Sequence, residues 1–199
     1  MTGSFLADPP VSPQVQALYD EDLASWGYVA NGSRLWAYQP DTKKGLFELM
    51  SAAFGPSGLT FRQRGILVTA AASALGDSYC SLAWGGKLGE ASDAAIAADV
   101  LNGSDVGLTG QEQAMAAWAR KIARNPNATT AADVQALRDA GLSDEQIFAI
   151  TAFVALRLAF ATVNDSLGAQ PDAELAQSLP REVREAVTYG RPVAQAPAT

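Results

Sequence analysis

Residues 66–75, ILVTAAASAL, form a ten-residue run without a charge, and the chain enters it through Thr60-Phe-Arg-Gln63. A Thr followed three positions later by Gln is a capping box, in which hydroxyl and amide satisfy the exposed N–H groups of a helix's first turn. A helix with no polar face must be buried on most sides, so the rest of the chain has to be arranged around it. Gly76-Asp77 then breaks it, and Asp77 or Ser78 can cap a second helix running through Cys80 and Leu82 towards Leu88. Residues 60–90 thus read as a helical hairpin with Cys80, the one cysteine of the chain, in the first turn of its second arm.

The flanking sequence supplies more helices. Residues 13–26 set Val15, Leu18, Leu23 and Trp26 at nearly helical spacing, with acids between them, and Gly27 closes the segment. Asn31-Gly32 reads as a turn, followed by an apolar cluster of Leu35, Trp36 and Tyr38 ahead of Pro40. A helix bearing Leu46, Phe47, Leu49, Met50 and Phe54 stops at Gly55-Pro56, and a short one ends at Asn102-Gly103. Thr109-x-x-Glu112 opens a helix with Met115, Trp118 and Ile122 on one face and Arg120, Lys121 and Arg124 near its end, where cations suit the dipole. Thr130 caps the next, and Ser143-x-x-Gln146 caps a long one that Gly168 terminates. PREVREAVTYG reads as a last helix.

No stretch alternates with period two over a useful length. The expected fold is therefore all-α. It comprises a flexible lead-in over 1–12, one helical domain over 13–190 built around the hairpin, and a flexible tail over 191–199.

Histidine is absent from all 199 residues, which removes Ser-His-Asp and Cys-His catalysis and His-containing metal sites. Proton transfer is left to carboxylates, Tyr, Lys, the thiol or water, and neither metal nor cofactor is expected. A single cysteine excludes an internal disulfide and a self-contained dithiol cycle. With 21 acids against 14 bases the chain carries a net charge of -7, which disfavours nucleic acid as a partner. The opening MTGSFLADPPVSP lacks the basic and apolar regions of a secretory signal, so a cytoplasmic location is expected. The apolar run 148–163 is short for a bilayer crossing and contains Arg157, so it reads as a core helix and no membrane partner is expected. Arg157, if buried, should need a carboxylate partner within the core or at a subunit interface.

Four stretches, WGYVANGSRLWAYQP, LTFRQRGILVTAAASALGDSYC, ARKIARNPNATTAADVQALRDAGLSDEQIFAI and DSLGAQPD, resemble the alkylhydroperoxidase D-like, or carboxymuconolactone decarboxylase, family, in its peroxidase-related branch. The resemblance implies an all-α fold, a homo-oligomer (a dimer or higher) and antioxidant oxidoreductase chemistry on peroxides. The family's activity depends on a Glu, then Cys-x-x-Cys, then a His four residues after the second cysteine. The second thiol attacks the peroxide, the first resolves it, and Glu and His relay the proton. Laid on that pattern without gaps, Cys80 takes the second cysteine's place, while Asp77 falls on the first, Trp84 on the His and Gly65 on the Glu.

Cys80 is therefore the one candidate catalytic residue. The helix dipole favours its thiolate and Asp77 opposes it, and a buried, inert thiol is the competing reading. Asp77 is explained by a capping role and Trp84 by packing, while Tyr79 would need a shifted pKa to donate a proton. Gly85-Gly86 inside a helix points to a close helix approach, a bend or an oligomer contact. Three readings of function stay open. The first is a peroxidase-related protein that has lost the two-cysteine mechanism and keeps a small-molecule pocket. The second is weak one-cysteine peroxide reduction through Cys80. The third is a non-catalytic structural or partner-binding oligomer.

Overall fold

A computed structural model describes residues 3–195, and among these every regular element is helical. The order is α1 (Pro13–Trp26), α2 (Asn31–Trp36), α3 (Pro40–Phe54), α4 (Phe61–Leu75), α5 (Ser78–Ala91), α6 (Ala94–Leu101), α7 (Gly110–Arg124), α8 (Ala131–Asp139), α9 (Asp144–Ser166), α10 (Ala173–Ser178) and α11 (Arg181–Ala186). Single 3-10 turns follow α3 and α7.

Local chemistry marks the helix ends. Thr60 with Gln63, Thr109 with Glu112, Thr130 with Asp133 and Ser143 with Gln146 each form a reciprocal capping box. Gly27 closes α1 and Gly76 closes α4, each in the left-handed conformation that a Cβ disfavours.

The uncharged α4 is enclosed as its composition requires: residues 65–72 are all buried, between α5, α6, α7 and α9. Arg62 reaches from α4 to Glu112 of α7 at 2.7 Å, joining the capping carboxylate of one helix to the first turn of the other. The long α9 has the length and composition of a membrane span, yet Ile147, Ile150, Phe153, Val154 and Phe160 on one face lie buried in the core. Phe153 meets Phe54 of α3 at 4.9 Å, and Phe160 stacks on Trp36 at 5.2 Å.

Two segments differ from their expected form. Asn31-Gly32 begins a helix rather than making a turn, because its free N–H groups find distant acceptors: Asn31 donates to Asp172 at 2.7 Å and Gly32 to the Tyr79 hydroxyl at 3.2 Å. A further short helix, α10, precedes the expected α11.

At the N-terminal end, Phe5 and Gly3 exchange backbone hydrogen bonds with Leu167 and Gln170, and Asp8 pairs with Arg34. At the C-terminal end, Tyr189, Arg191 and Ala194 hydrogen-bond to Ser81, Ser78 and Pro171. Residues 1–2 of the expected lead-in and 196–199 of the expected tail lie outside the described residues.

Candidate functional site

The site starts at the break between α4 and α5. Gly76 turns the chain, and Asp77 caps α5 by accepting the N–H of Cys80 on Oδ1 at 2.9 Å. Cys80 is thereby fixed as the third residue of α5, with 3% of its surface exposed. Trp84 and Lys87 follow at i+4 and i+7, so the thiol, the indole and the ammonium share one face of the helix. That face opens on a groove of about 1510 Å³, walled by Trp26, Phe47, Phe61 and Phe160 and reaching Cys80, Trp84, Lys87 and Arg157.

Arg157 is the residue whose surroundings differ most from expectation. Of its surface 6% is exposed, and no carboxylate forms an ion pair with it among the described residues. Its guanidinium lies instead between Trp84 and Phe160, at 5.3 and 5.2 Å from the ring centroids. Nη2 donates to Cys80 Sγ at 3.5 Å, Nη1 points to Met50 Sδ at 4.0 Å, and Nε has no partner. Aromatic faces and two sulfurs replace the expected counter-ion, because a ring quadrupole attracts a cation without bringing a second buried charge.

Burial is the largest influence on the Cys80 thiol and pushes its pKa well above the ordinary value; the Asp77 charge pushes the same way, and Arg157 opposes both. Asp77 is fully buried and is itself raised by burial, while its contacts with Cys80 and the Arg157 charge hold it down. Two anions side by side in a dry site with one cation are unfavourable, so carboxylate and thiol keep a proton between them. At rest the sulfur is a thiol.

Tyr79 points away from this chemistry. Its hydroxyl donates to Asp172 Oδ2 at 2.6 Å and accepts from Gly32, and burial with the Asp172 charge raises its pKa well above 10.0. It ties α2 and α5 to the loop before α10 and is no acid for the sulfur.

Gly65 leaves a space that Leu88 fills, its Cδ1 lying 3.3 Å from where a Cβ would stand. A Cβ on Gly85 would stand 3.0 Å from side-chain carbons of both Leu101 and Val183, and one on Gly86 would run into Leu179. Gly85 therefore serves close approach of α6 and α11 to α5, and Gly86 that of the α10–α11 connection.

Cys80, Asp77, Trp84 and Arg157 are thus brought together, and Gly65 contributes no chemistry. Arg64 and Lys87, which also flank Trp84 at 5.3 and 4.9 Å, were not singled out from the sequence. The i, i+4, i+7 spacing of Cys80, Trp84 and Lys87 was the signal available for the lysine.

No protein-family model matches the chain, and no curated protein does. Solved structures do. An alkylhydroperoxidase AhpD core, described as an uncharacterized peroxidase-related protein from Ralstonia eutropha JMP134, is 25% identical over 86% of this chain and 94% of its own, with a TM-score of 0.76. A peroxidase-related protein from Silicibacter sp. TM1040 is 20% identical over 88% and 95%, with a TM-score of 0.78. The debrominase Bmp8, solved as a cysteine-to-alanine variant in complex with 2,3,4-tribromopyrrole, is 17% identical over 91% and 97%, with a TM-score of 0.71. Together with the four stretches of sequence and the helical hairpin that carries Cys80, these matches show a fold similar to that of alkylhydroperoxidase D-like, peroxidase-related proteins, with one cysteine where that family's pattern has two.

Proposed function

We propose that this protein has given up the two-cysteine alkylhydroperoxidase cycle and retains the groove over Trp84 as a binding site for a small organic molecule. One observation carries the reading: the groove extends to Cys80, where Asp77 is occupied as a helix cap and Trp84 as a packed indole. Neither can resolve an oxidised sulfur or shuttle a proton as a second thiol and an imidazole would. A bound bromopyrrole in Bmp8 supports the reading, since it shows a chain of this fold holding a small aromatic molecule. Family resemblance further leads us to a homo-oligomer, and the cytoplasm is its expected place.

The test is a turnover assay with cumene hydroperoxide and dithiothreitol. Consumption should stop at or below one equivalent of peroxide per chain. Sustained consumption that Cys80→Ser abolishes would overturn the proposal.

The contact of Arg157 Nη2 with Cys80 Sγ favours a second reading, one-cysteine chemistry. The sulfur would attack the peroxide O–O bond, taking one oxygen as a sulfenic acid, while the alcohol leaves with the thiol's proton. Two equivalents of an external low-molecular-weight thiol would then regenerate Cys80 and release a disulfide and water. Gain of one oxygen atom at Cys80, reversed by added thiol, is the mass-spectrometric sign of that path.

A further inference from the structure

Three cationic side chains converge on one indole. Around Trp84 lie Lys87 Nζ at 4.9 Å, Arg64 Cζ at 5.3 Å and Arg157 Cζ at 5.3 Å. None of the three takes part in an ion pair among the described residues, and of these Arg157 is almost wholly buried. A chain with 21 acids for 14 bases has no shortage of carboxylates to supply. The cluster is also costly where it stands. Burial, followed by the Arg157 charge, pushes the pKa of both Lys87 and Arg64 down, and the Nε atoms of Arg64 and Arg157 are buried without a hydrogen-bond acceptor. Ring faces offset part of that cost, yet a ring accepts no hydrogen bond as strong as an anion's oxygen does.

Lys87 and Arg157 line the groove, while Arg64 stands behind Trp84 and adds to the positive potential there. Phe61, 6.1 Å from the indole, and Phe160, across Arg157 from it, also line the groove at this end, while carboxylates including Glu21, Asp22, Glu48 and Glu90 line it as well, so the anion's place is the end at Trp84. We infer that the groove selects a compact aromatic anion, with its charged group against Lys87 and Arg157 and its ring on the aromatic wall beside Cys80. This inference rests on the small-molecule reading of the same groove and narrows it to a charge and a shape. The anion supplies the acceptor that the guanidinium and ammonium lack, at a point shielded from water where such a bond is strongest.

The experiment compares two probes of one shape, 2-naphthoate and its neutral amide, by calorimetric titration of the full chain. Naphthoate should bind at least about tenfold more tightly than the amide, the worth of one charge-assisted hydrogen bond. Lys87→Met, a near-isosteric change at a part-exposed site, should erase most of that preference while leaving amide binding in place. Arg157→Met should do the same, and Arg138→Met, at an exposed arginine outside the groove, should leave the preference intact. Equal binding of the two probes overturns the anion inference alone and leaves the pocket reading standing. Binding of neither probe at millimolar concentration overturns both. A preference that survives Lys87→Met and Arg157→Met together assigns the anion elsewhere and overturns the inference.

Discussion

Arg157 Nη2 lies 3.5 Å from Cys80 Sγ, joining residues 77 positions apart in the chain. The guanidinium opposes the burial and the Asp77 charge that raise the thiol's pKa, so both neighbours should be legible in the thiol's reactivity. Arg157→Met should lower the thiolate fraction of the native protein. Asp77→Asn, which keeps a side-chain oxygen for the cap, should raise it. A shift of one unit in either direction changes the rate of native-state iodoacetamide labelling about tenfold. Wild-type Cys80 itself should label slowly when folded and fast in denaturant; equal rates for all three proteins would remove Arg157 and Asp77 from the account of the sulfur.

Asp165 gives a pH dependence of known sign. Burial, then the Asp77 charge, raises it from 3.8 to about 6, so the fold favours its protonated form. The resulting stability is fully present below about pH 4 and is lost as pH rises through about 6. Asp165→Asn should therefore be more stabilising at pH 7.5 than at pH 4. Discounted for solvent screening at this part-exposed residue, the difference should be about 1 kcal/mol in urea unfolding. A variant whose effect is the same at both pH values would contradict the shift.

Gly190 has φ +73°, and a Cβ there would stand 2.6 Å from the Gly76 carbonyl oxygen and 2.8 Å from the Ser78 nitrogen. Backbone cannot yield as a side-chain end can. Gly190→Ala should cost about 1–2 kcal/mol from the left-handed conformation alone, and more from the collision. It should also loosen the Tyr189–Ser81 and Ser78–Arg191 hydrogen bonds that hold the chain's end over the start of α5. Faster native-state labelling of Cys80 is the expected companion effect. A stable Gly190→Ala protein with unchanged labelling would show that this contact guards nothing.

Asn164 Oδ1 accepts the Trp36 indole N–H at 2.8 Å inside the core. Asn164→Leu removes the acceptor and leaves a buried donor unpaired, a loss of about 1–3 kcal/mol. The urea midpoint should fall with little change in slope. An unchanged midpoint would mean that water or backbone takes over as acceptor.

What the sequence disclosed and what it withheld divide by range. Capping boxes at Thr60, Thr109, Thr130 and Ser143 join residues three apart, and the α4 run needs only its own composition to demand burial, so each was readable from a short window. The place of Cys80 in the first turn of α5 followed from Asp77 by the same local rule. By contrast, Asn31-Gly32 carries a turn signature, and only Asp172 and Tyr79, brought in from far along the chain, make it a helix start. Arg157 was read as needing a carboxylate because that is how a buried guanidinium is usually compensated; three-dimensional packing supplied rings and sulfur. The convergence of Arg64 and Lys87 on Trp84 is likewise a product of helix crossing, with the Lys87 spacing as its single local trace.

Asp172 holds the Asn31 N–H and the Tyr79 hydroxyl at once, the first across 141 positions. During synthesis the segment bearing Asn31 and the one bearing Tyr79 leave the ribosome long before it does. Until that late carboxylate emerges, the rim they share has no latch, and a nascent chain stalled short of it would display Trp84 and its cations with nothing fastening the opposite bank. Binding competence should therefore arrive abruptly, once Asp172 has emerged, rather than grow with the helices that furnish it.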